Sequence, residues 1–359
     1  MRKELIDEIA RKFKIGQTAL IEKDVILHEI LTKFSQDKYF SENYLFKGGT
    51  CLVKAFLGYV RFSEDLDFTW KNQDVYEGKS GNAVERKLSN EIEILGKLVE
   101  QIAAKLSLDF KFDKTDYRYF QFGGGGKMLT LCVWYNSEIN NAENMIKIQI
   151  NFVEQICYTP ESNQLQSLAP DDEELKLLFP DNLYFEIIEF STYSPKEILC
   201  EKIRAILTRR GVKARDFLDI YHVCKKYGTS LSEITENSIL KLKFSLDMYK
   251  KYRENMNVKL NLMESGEMFA WGNEKSLLLQ ELDEEDFKSF EMELEKYLKE
   301  SVLKLTGVSF FSEITALCSN CLQKTYIPNP QGKRFDEIDL SSDKCPNCNS
   351  ISTLQAFPM

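Results

Sequence analysis

Two adjacent glycines and a threonine, followed by two closely spaced aspartates, constrain this 359-residue chain more than any other feature. Gly48, Gly49 and Thr50 stand between a short apolar segment, YLF, and an apolar helical pattern. Such a strand-to-helix junction exposes backbone N–H groups and a helix N-terminus, both of which attract phosphate. Alone, the same residues equally suit a tight turn whose threonine caps a helix.

Asp65 and Asp67 follow in a segment with a strand pattern, DLDFTW. Because side chains alternate along a strand, both carboxylates leave the same face, about 6–7 Å apart. They repel each other unless a cation lies between them, and oxygen ligands suit Mg²⁺ or Mn²⁺ held jointly with phosphates. An isolated pair suits a solvated strand face, but the preceding glycine turn and helix favour a metal site.

The run FKGGTCLVKAFLGYVRFSEDLDF resembles the glycine and aspartate signature of the DNA polymerase β-type nucleotidyltransferases, and in this wording the AbiEii/AbiGii toxin family. The resemblance covers roughly residues 15–225, since IEKDVILHEIL and EKIRAILTRRGVKARDFLDIY are similar to further family motifs. It implies an α/β (α+β) polymerase β-like core with a mixed sheet. It also implies an Mg²⁺-dependent toxin that transfers a nucleotide from an NTP to an RNA such as the tRNA 3′ end, paired with an antitoxin protein.

Within this resemblance, each residue of the two motifs has an expected role. Asp65 and Asp67 hold the catalytic Mg²⁺ or Mn²⁺. The turn residues bind the nucleotide phosphates, namely Gly48, Gly49 and Thr50. The implied reaction is in-line attack of an acceptor hydroxyl on the α-phosphorus of the NTP, with pyrophosphate as the leaving group.

Three charged residues of the downstream motifs fall on two helical patterns. Lys202 lies within an apolar helical stripe, so it contacts either a structural carboxylate or, as the resemblance implies, a triphosphate. Asp216 and Asp219 lie three residues apart on one helical face and need a partner cation, either Lys202 or the metal. One of the two is the expected general base or third acidic group, and the sequence does not choose between them.

One position departs from the polymerase β pattern, in which a later core strand offers a third metal-binding carboxylate. The matching strand here, MIKIQINF, has Gln149 where an acid is expected. Either Glu154, Asp216 or Asp219 supplies that carboxylate, or the aspartate pair and the nucleotide hold the metal alone. Two alternatives stay open: a non-catalytic module that binds RNA or a protein, and nucleotidylation of a protein or small molecule.

Four of the nine cysteines form two Cys-x-x-Cys pairs near the C-terminus. This spacing is typical of a structural zinc ribbon, with four thiolates around one ion and no open position for catalysis. Two redox motifs are the alternative, but such a motif normally stands alone near a βαβ unit. The predicted zinc ligands are Cys318, Cys321, Cys345 and Cys348, and the predicted core fillers are Cys51, Cys132, Cys157, Cys200 and Cys224.

The formal net charge is −9, so any nucleic-acid contact needs a local basic patch rather than a global positive field. One short segment provides five basic residues, which form either an RNA or phosphate patch or a plain exposed helix end: Arg204, Arg209, Arg210, Lys213 and Arg215. No apolar run approaches the length needed to cross a bilayer, and the charged N-terminus does not resemble a signal peptide. We expect a cytoplasmic protein without membrane partners.

Three parts are predicted along the chain. Residues 1–160 form the transferase core with N-terminal helices, 161–305 a mainly helical domain that completes the active site, and 306–359 the zinc ribbon. Within the core we expect a long helix over 83–108. The strand segments are LDFKFD, YRYFQF, MLTLCVWYN and MIKIQINFVE, and the glycine run QFGGGGK is a hairpin turn or loop.

Overall fold

The computed structural model describes residues 2–76, 81–265, 268–305, 313–321, 323–328, 340, 342–351 and 354–357. Its contacts divide the chain into two compact units. The first comprises Met1–Ile198 with Asn273–Leu282, and the second Leu199–Gly272 with Asp283–Met359. The three-part division at residues 160 and 305 stays a prediction.

The first unit begins with three helices, α1 (Arg2–Phe13), α2 (Thr18–Gln36) and α3 (Lys38–Asn43). Apolar residues recur at helical spacing in α1 and α2, and these side chains are fully buried: Leu5, Ile6, Ile9, Ile21 and Val25. Asp37 caps α3, because its side chain accepts a hydrogen bond from the Phe40 backbone N–H at 2.8 Å. Burial of the apolar stripes fixes these helices in the core of the unit.

A seven-stranded mixed sheet forms the centre of the first unit, in the order β3-β4-β5-β2-β1-β7-β6. β2 pairs antiparallel with β1 and parallel with β5, and β1 pairs parallel with β7. The strands are β1 (Tyr44–Lys47), β2 (Asp65–Trp70), β3 (Phe120–Gly123), β4 (Met128–Asn136), β5 (Glu143–Asn151), β6 (Glu161–Leu165) and β7 (Ile188–Thr192). The mixed α/β architecture predicted from the sequence is confirmed.

Aromatic side chains fill one face of the central strands. Phe46 and Phe68 are paired across β1 and β2, and both are fully buried. Their rings lie 5.1 Å apart, and Phe40, Phe34 and Phe190 contact the same cluster. Each buried aromatic side chain contributes about 2–3 kcal/mol of transfer free energy, so this face anchors the sheet.

Three further helices belong to the loops of the sheet: α4 (Gly48–Cys51), α5 (Gly81–Lys105) and α6 (Glu173–Leu178). α4 continues directly into a π-helical turn, Leu52–Leu57. The helix predicted over 83–108 and the strands within MLTLCVWYN and MIKIQINFVE are confirmed, and the glycine run joins β3 to β4 as an antiparallel hairpin.

The strand predicted for LDFKFD is wrong, and the one for YRYFQF is reduced to its last residues. Asp109 makes only an isolated bridge to Trp134. The Phe112 backbone N–H donates to the Glu100 carboxylate instead of to a strand, and the Asp113 carboxylate accepts from Thr115. These side-chain acceptors turn the backbone away from a ladder, which the β-rich composition does not show.

A buried ion pair links the π-helical turn to α2. Lys54 Nζ lies 2.8 Å from Asp24 Oδ1, and both side chains are almost fully buried. The Tyr59 and Tyr184 hydroxyls donate to Asp24 Oδ2 at 2.8 and 2.6 Å, so four polar side chains satisfy one another. Burial lowers the pKa of Lys54 and, together with the Lys54 charge, that of His28 to about 3.

The second unit is mainly helical. It contains the C-terminal part of α7 (Pro195–Thr208), α8 (Ala214–Tyr227), α9 (Thr235–Met248), α10 (Lys250–Ser265) and α11 (Glu284–Leu305). Its C-terminal part holds a three-stranded antiparallel sheet of β8 (Glu313–Cys318), β9 (Lys324–Pro328) and β10 (Leu354–Phe357), in the order β10-β8-β9. Among the described residues, no helix is both long and apolar enough to span a membrane.

Removing one partner of the Lys54–Asp24 pair should destabilise the first unit. Asp24→Ala leaves a buried ammonium without its counter-charge, which costs about 3–5 kcal/mol of unfolding free energy. Urea denaturation of the variant measures this loss. The double variant Asp24→Leu/Lys54→Leu should recover a large part of it, because no charge then stays buried.

Glu93→Gln is the matched control, since Glu93 pairs with Lys97 on the exposed face of α5. Its unfolding midpoint should equal that of the wild type, because exposed pairs contribute little. An Asp24→Ala midpoint as close to the wild type as the control would contradict the assignment of this pair as a structural anchor.

Candidate functional site

The Gly-Gly-Thr turn packs directly against β2. Lys47, the last residue of β1, is paired with Asp67, and Gly48 follows with a φ of +76°. A Cβ atom at Gly48 would overlap the Asp67 carboxylate and lie 2.9 Å from its Cβ. Only glycine fits there, because the conformation is left-handed and the approach is closer than a side chain allows.

Gly49 and Thr50 are the second and third residues of α4, and they contact the segment before β2. The Thr50 hydroxyl donates to the Asp65 carbonyl oxygen at 2.5 Å and lies 2.8 Å from the Ser63 hydroxyl. A Cβ at Gly49 would approach the guanidinium of Arg61, a fully buried arginine that donates to the Phe62 carbonyl oxygen at 2.7 Å. The Thr50 side chain therefore fixes the turn to β2, while the turn keeps its backbone close to the aspartates.

Asp65 and Asp67 stand on one face of β2, both half-buried. Among the described residues, the Asp65 carboxylate has neither a hydrogen bond nor an ion pair, so it keeps its capacity to bind a cation. The two carboxylates lie on a central strand, beside a turn where Gly48 leaves no room for a side chain. Such oxygen donors fit a hard cation such as Mg²⁺. These donors would suit such an ion, and their role as metal ligands stays a prediction.

The candidates for a third carboxylate lie on and after β5. Gln149 on β5 is paired with Asp67, and the identity of a third metal-binding group stays a prediction. Glu154 follows this strand, where it accepts from Asn151 at 3.0 Å and lies 3.8 Å from Lys47 Nζ. Within the described part of the chain, no three acidic residues bring their oxygens within 4.8 Å of one another.

Lys202, Asp216 and Asp219 form a buried cluster in the second unit. Lys202 Nζ lies 2.8 Å from Asp216 Oδ1 and 2.7 Å from Asp219 Oδ2, and Arg209 adds a contact to Asp216 at 2.6 Å. Burial opposes ionisation, but the charges of Lys202 and Arg209 hold the pKa of Asp216 below its usual value. The structure therefore brings the lysine and both acids together, and their catalytic role stays a prediction.

The basic segment between α7 and α8 is partly neutralised. Arg204 contacts Glu201 at 3.3 Å, and Arg209 is committed to Asp216. Arg209 and Arg210 are exposed, while the other three side chains are half-buried: Arg204, Lys213 and Arg215. The basic patch that is available to a nucleic acid therefore has fewer than five positive charges.

The four C-terminal cysteines converge on one point. Their sulfur atoms lie within 4.8 Å of one another, with 3.6 Å between Cys318 and Cys348 and 3.7 Å between Cys321 and Cys345. A tetrahedral zinc site with Zn–S bonds of about 2.3 Å separates its sulfurs by about 3.8 Å. The donor set and its spacing therefore fit a closed, structural zinc site. Of the five other cysteines, Cys51, Cys132 and Cys200 are buried and Cys157 and Cys224 half-buried.

Sequence reasoning missed two cations beside the turn. Lys47 is buried between Glu154 and the Tyr193 ring, and Arg61 lies behind Gly49. Lys47 directly precedes the first glycine and Arg61 stands four residues before Asp65, so proximity to the motif was the available signal. Their burial depends on tertiary packing, which the sequence does not display.

The stabilising effect of the Lys202 cluster should depend on pH. Because the folded pKa of Asp216 is depressed, its stabilisation is present above its unfolded pKa of about 3.9 and is lost as pH falls through the lower folded value. Asp216→Asn should therefore lower unfolding free energy by about 1–3 kcal/mol at pH 7 and by less as pH falls below about 3.9. Urea denaturation across this range measures both, and a constant difference would contradict the ion-pair assignment.

The zinc ribbon should lose its fold without metal. Among the described residues, its buried core is Ala316, Cys318, Leu340, Cys345 and Leu354, with the half-buried Cys321 and Cys348 packed against it, and this apolar area is too small to fold alone. We expect one zinc per chain by elemental analysis, and loss of zinc with rapid proteolysis of 306–359 in Cys345→Ser. Cys224→Ser is the control that keeps both, and a Cys345→Ser protein that retains zinc and protease resistance would refute the site.

Comparison with known proteins identifies the family. The family model described as nucleotidyl transferase AbiEii toxin, type IV toxin–antitoxin system, matches residues 29–303, more than half of the chain. The ribbon lies outside the matched range. No curated protein matches the chain.

Two solved structures from Helicobacter pylori are similar to the chain. JHP933 is 16% identical, with a TM-score of 0.38 over 80% of this chain and 94% of that one. The other, assigned provisionally as a nucleotidyltransferase, is 19% identical, with a TM-score of 0.37 over 82% and 99%. The chain belongs to the AbiEii nucleotidyl transferase toxin family, as its glycine and aspartate motifs predicted.

Proposed function

We propose that this protein transfers a nucleoside monophosphate from an NTP to an RNA acceptor, with the tRNA 3′ end as the favoured site. The observation that carries the proposal is the pair Asp65 and Asp67 on the central strand, with the glycine turn closed against Asp67. Membership of a toxin family in a type IV toxin–antitoxin system supports a nucleotide substrate and an antitoxin partner. The RNA acceptor is part of the proposal, because it is the acceptor that the resemblance to the family implies.

The first unit supplies the residues that hold the nucleotide. Asp65 and Asp67 would bind Mg²⁺, which when bound neutralises phosphate charge and lowers the pKa of a coordinated hydroxyl. The backbone N–H groups of Gly49 and Thr50, in the first turn of α4, would donate to phosphate oxygens, since a helix N-terminus favours anions. Gly48 keeps this backbone close to the aspartates because no side chain intervenes.

The proposed reaction forms one bond and breaks one. The acceptor hydroxyl oxygen attacks the α-phosphorus, its proton passes to a base, and the bond from the α-phosphorus to the bridging oxygen breaks to release pyrophosphate. Preorganised charge at the phosphates supplies most of the rate enhancement in such transfers.

Lys202, Asp216 and Asp219 are proposed as the charged residues that assist this transfer. Clusters of buried charges with shifted pKa values are frequent at functional sites, and this one lies on the two downstream family motifs. In the structure the acids neutralise Lys202, so we propose that they orient the ammonium group, with one of them as the proton acceptor.

The ribbon is proposed to hold a structural zinc ion without a catalytic role. Four cysteine ligands leave no open coordination position for a substrate or water. The protein is accordingly proposed to use two kinds of ion, a hard one at the aspartates and zinc at the cysteines.

Incubation of the protein with each labelled NTP, Mg²⁺ and total tRNA tests the proposal. We expect label on RNA from the wild type, and a loss of at least about 100-fold in Asp65→Asn and Asp67→Asn, because charge stabilisation at the reacting phosphate is worth that much. Asn keeps the size of each side chain, so thermal unfolding should confirm that both variants remain folded. Asp74→Asn is the control, an acid beyond the end of β2.

Two results would contradict the proposal, the first its transferase activity and the second its metal site at Asp65 and Asp67. The first is tight RNA binding without label incorporation, unchanged by either substitution, which favours the non-catalytic module. The second is incorporation into RNA that persists in both variants. Label on a protein or small molecule of a cell extract, but not on RNA, would keep the transferase and replace the acceptor.

A further inference from the structure

The sheet face that carries the aspartates continues past β2 onto two neighbouring strands. Lys147 on β5 is paired with Asp65, and Gln149 with Asp67. Thr130 on β4 is in turn paired with Gln149. Because paired residues share a face of the sheet, these side chains form a continuous surface with the aspartates. We name Thr130, Lys147 and Gln149 the polar strip.

The two faces of these strands differ sharply. Ile148 and Ile150 alternate with the polar strip along β5 and are 1% exposed, as is Leu129 on β4. The three side chains of the polar strip are only half-buried. The apolar face therefore packs into the core, while the strip stays accessible beside Asp65.

The polar strip has no internal partners. Within the described part of the chain, the side chains of Thr130, Lys147 and Gln149 make no hydrogen bond and no ion pair. The buried lysines of this protein behave differently, since Lys54 and Lys202 each contact a carboxylate within 2.8 Å. Lys147 thus stands in register with an acid but does not pair with it.

Cys132 is a neighbour of the polar strip in the sheet. It lies on β4 in register with Lys147 and is fully buried. Burial raises the pKa of its thiol, Lys147 acts to lower it, and Asp65 acts to raise it. This agrees with the strand register, which places Lys147 and Asp65 in the same region of the sheet as Cys132.

We propose that Lys147 binds a phosphate oxygen of the NTP, beside the metal held by Asp65. This inference rests on the proposed transferase function and assigns a residue that lies outside the family motifs. In the polymerase β pattern, the corresponding strand supplies a third metal-binding carboxylate. Here β5 has an ammonium group and an amide instead. Lys147 supplies positive charge directly to the phosphates, and Gln149 and Thr130 offer neutral hydrogen-bonding groups next to it.

Opposite responses of metal and phosphate binding distinguish this role from a structural one. Lys147→Glu places a third carboxylate next to Asp65, so Mn²⁺ alone should bind about tenfold more tightly, while Mg²⁺-tripolyphosphate should bind at least about tenfold more weakly. Lys147→Met should weaken only the tripolyphosphate complex, and Lys147→Arg should restore it to within about threefold of the wild type. Lys105→Met, on the exposed end of α5, is the control.

Isothermal titration calorimetry measures tripolyphosphate, and electron paramagnetic resonance measures Mn²⁺, so neither readout depends on turnover. Equal tripolyphosphate affinity in the wild type, Lys147→Met and Lys147→Glu would overturn the inference and leave the transferase intact if label incorporation persists. A wild type that binds no tripolyphosphate and incorporates no NTP would overturn the proposed function together with the inference. Thermal unfolding of each variant reports whether the fold survives.

Discussion

The pairing of β2 between β1 and β5 is the constraint on which the first unit depends. Its aromatic face fixes Phe68 against Phe46, which leaves the alternate positions, Asp65 and Asp67, on the other face. The same register aligns Lys47 and Gln149 with Asp67 and closes Gly48 against its carboxylate. A shift of one residue would bury both acids and expose the aromatic cluster, so packing and site geometry are set by one choice of register.

Buried charge has two different uses in this chain. In the first unit, Asp24 holds Lys54 together with two tyrosine hydroxyls, and the network ties the turn after α4 to α2. In the second unit, Asp216 and Asp219 both contact Lys202. Arg209, which is partly exposed to solvent, also contacts Asp216. The first network satisfies all its members internally. The second gathers the residues of two family motifs, and this supports a role in chemistry beyond stability.

The sequence predicts local geometry well, because the glycine turn, the spacing of Asp65 and Asp67 and the cysteine pairs depend on residues close in the chain. The fold class followed from the family resemblance of the glycine and aspartate motifs, and the catalytic roles of these residues stay predictions. The segment LDFKFD was predicted wrongly because side-chain acceptors at Glu100 and Asp113 replaced strand pairing. Lys147 was not identified, because its neighbour Asp65 is 82 residues away and becomes adjacent only through the β2–β5 register.

We propose that Asp65 and Asp67 hold the catalytic metal ion beside the nucleotide phosphates. A crystal structure with Mn²⁺ and an NTP analogue that resists cleavage after the α-phosphorus tests this most directly. We expect an anomalous-scattering peak within about 2.0–2.3 Å of oxygens of both aspartates, with the phosphates between this peak and the Gly-Gly-Thr turn. A peak and nucleotide bound elsewhere, with Asp65 and Asp67 facing solvent, would contradict it.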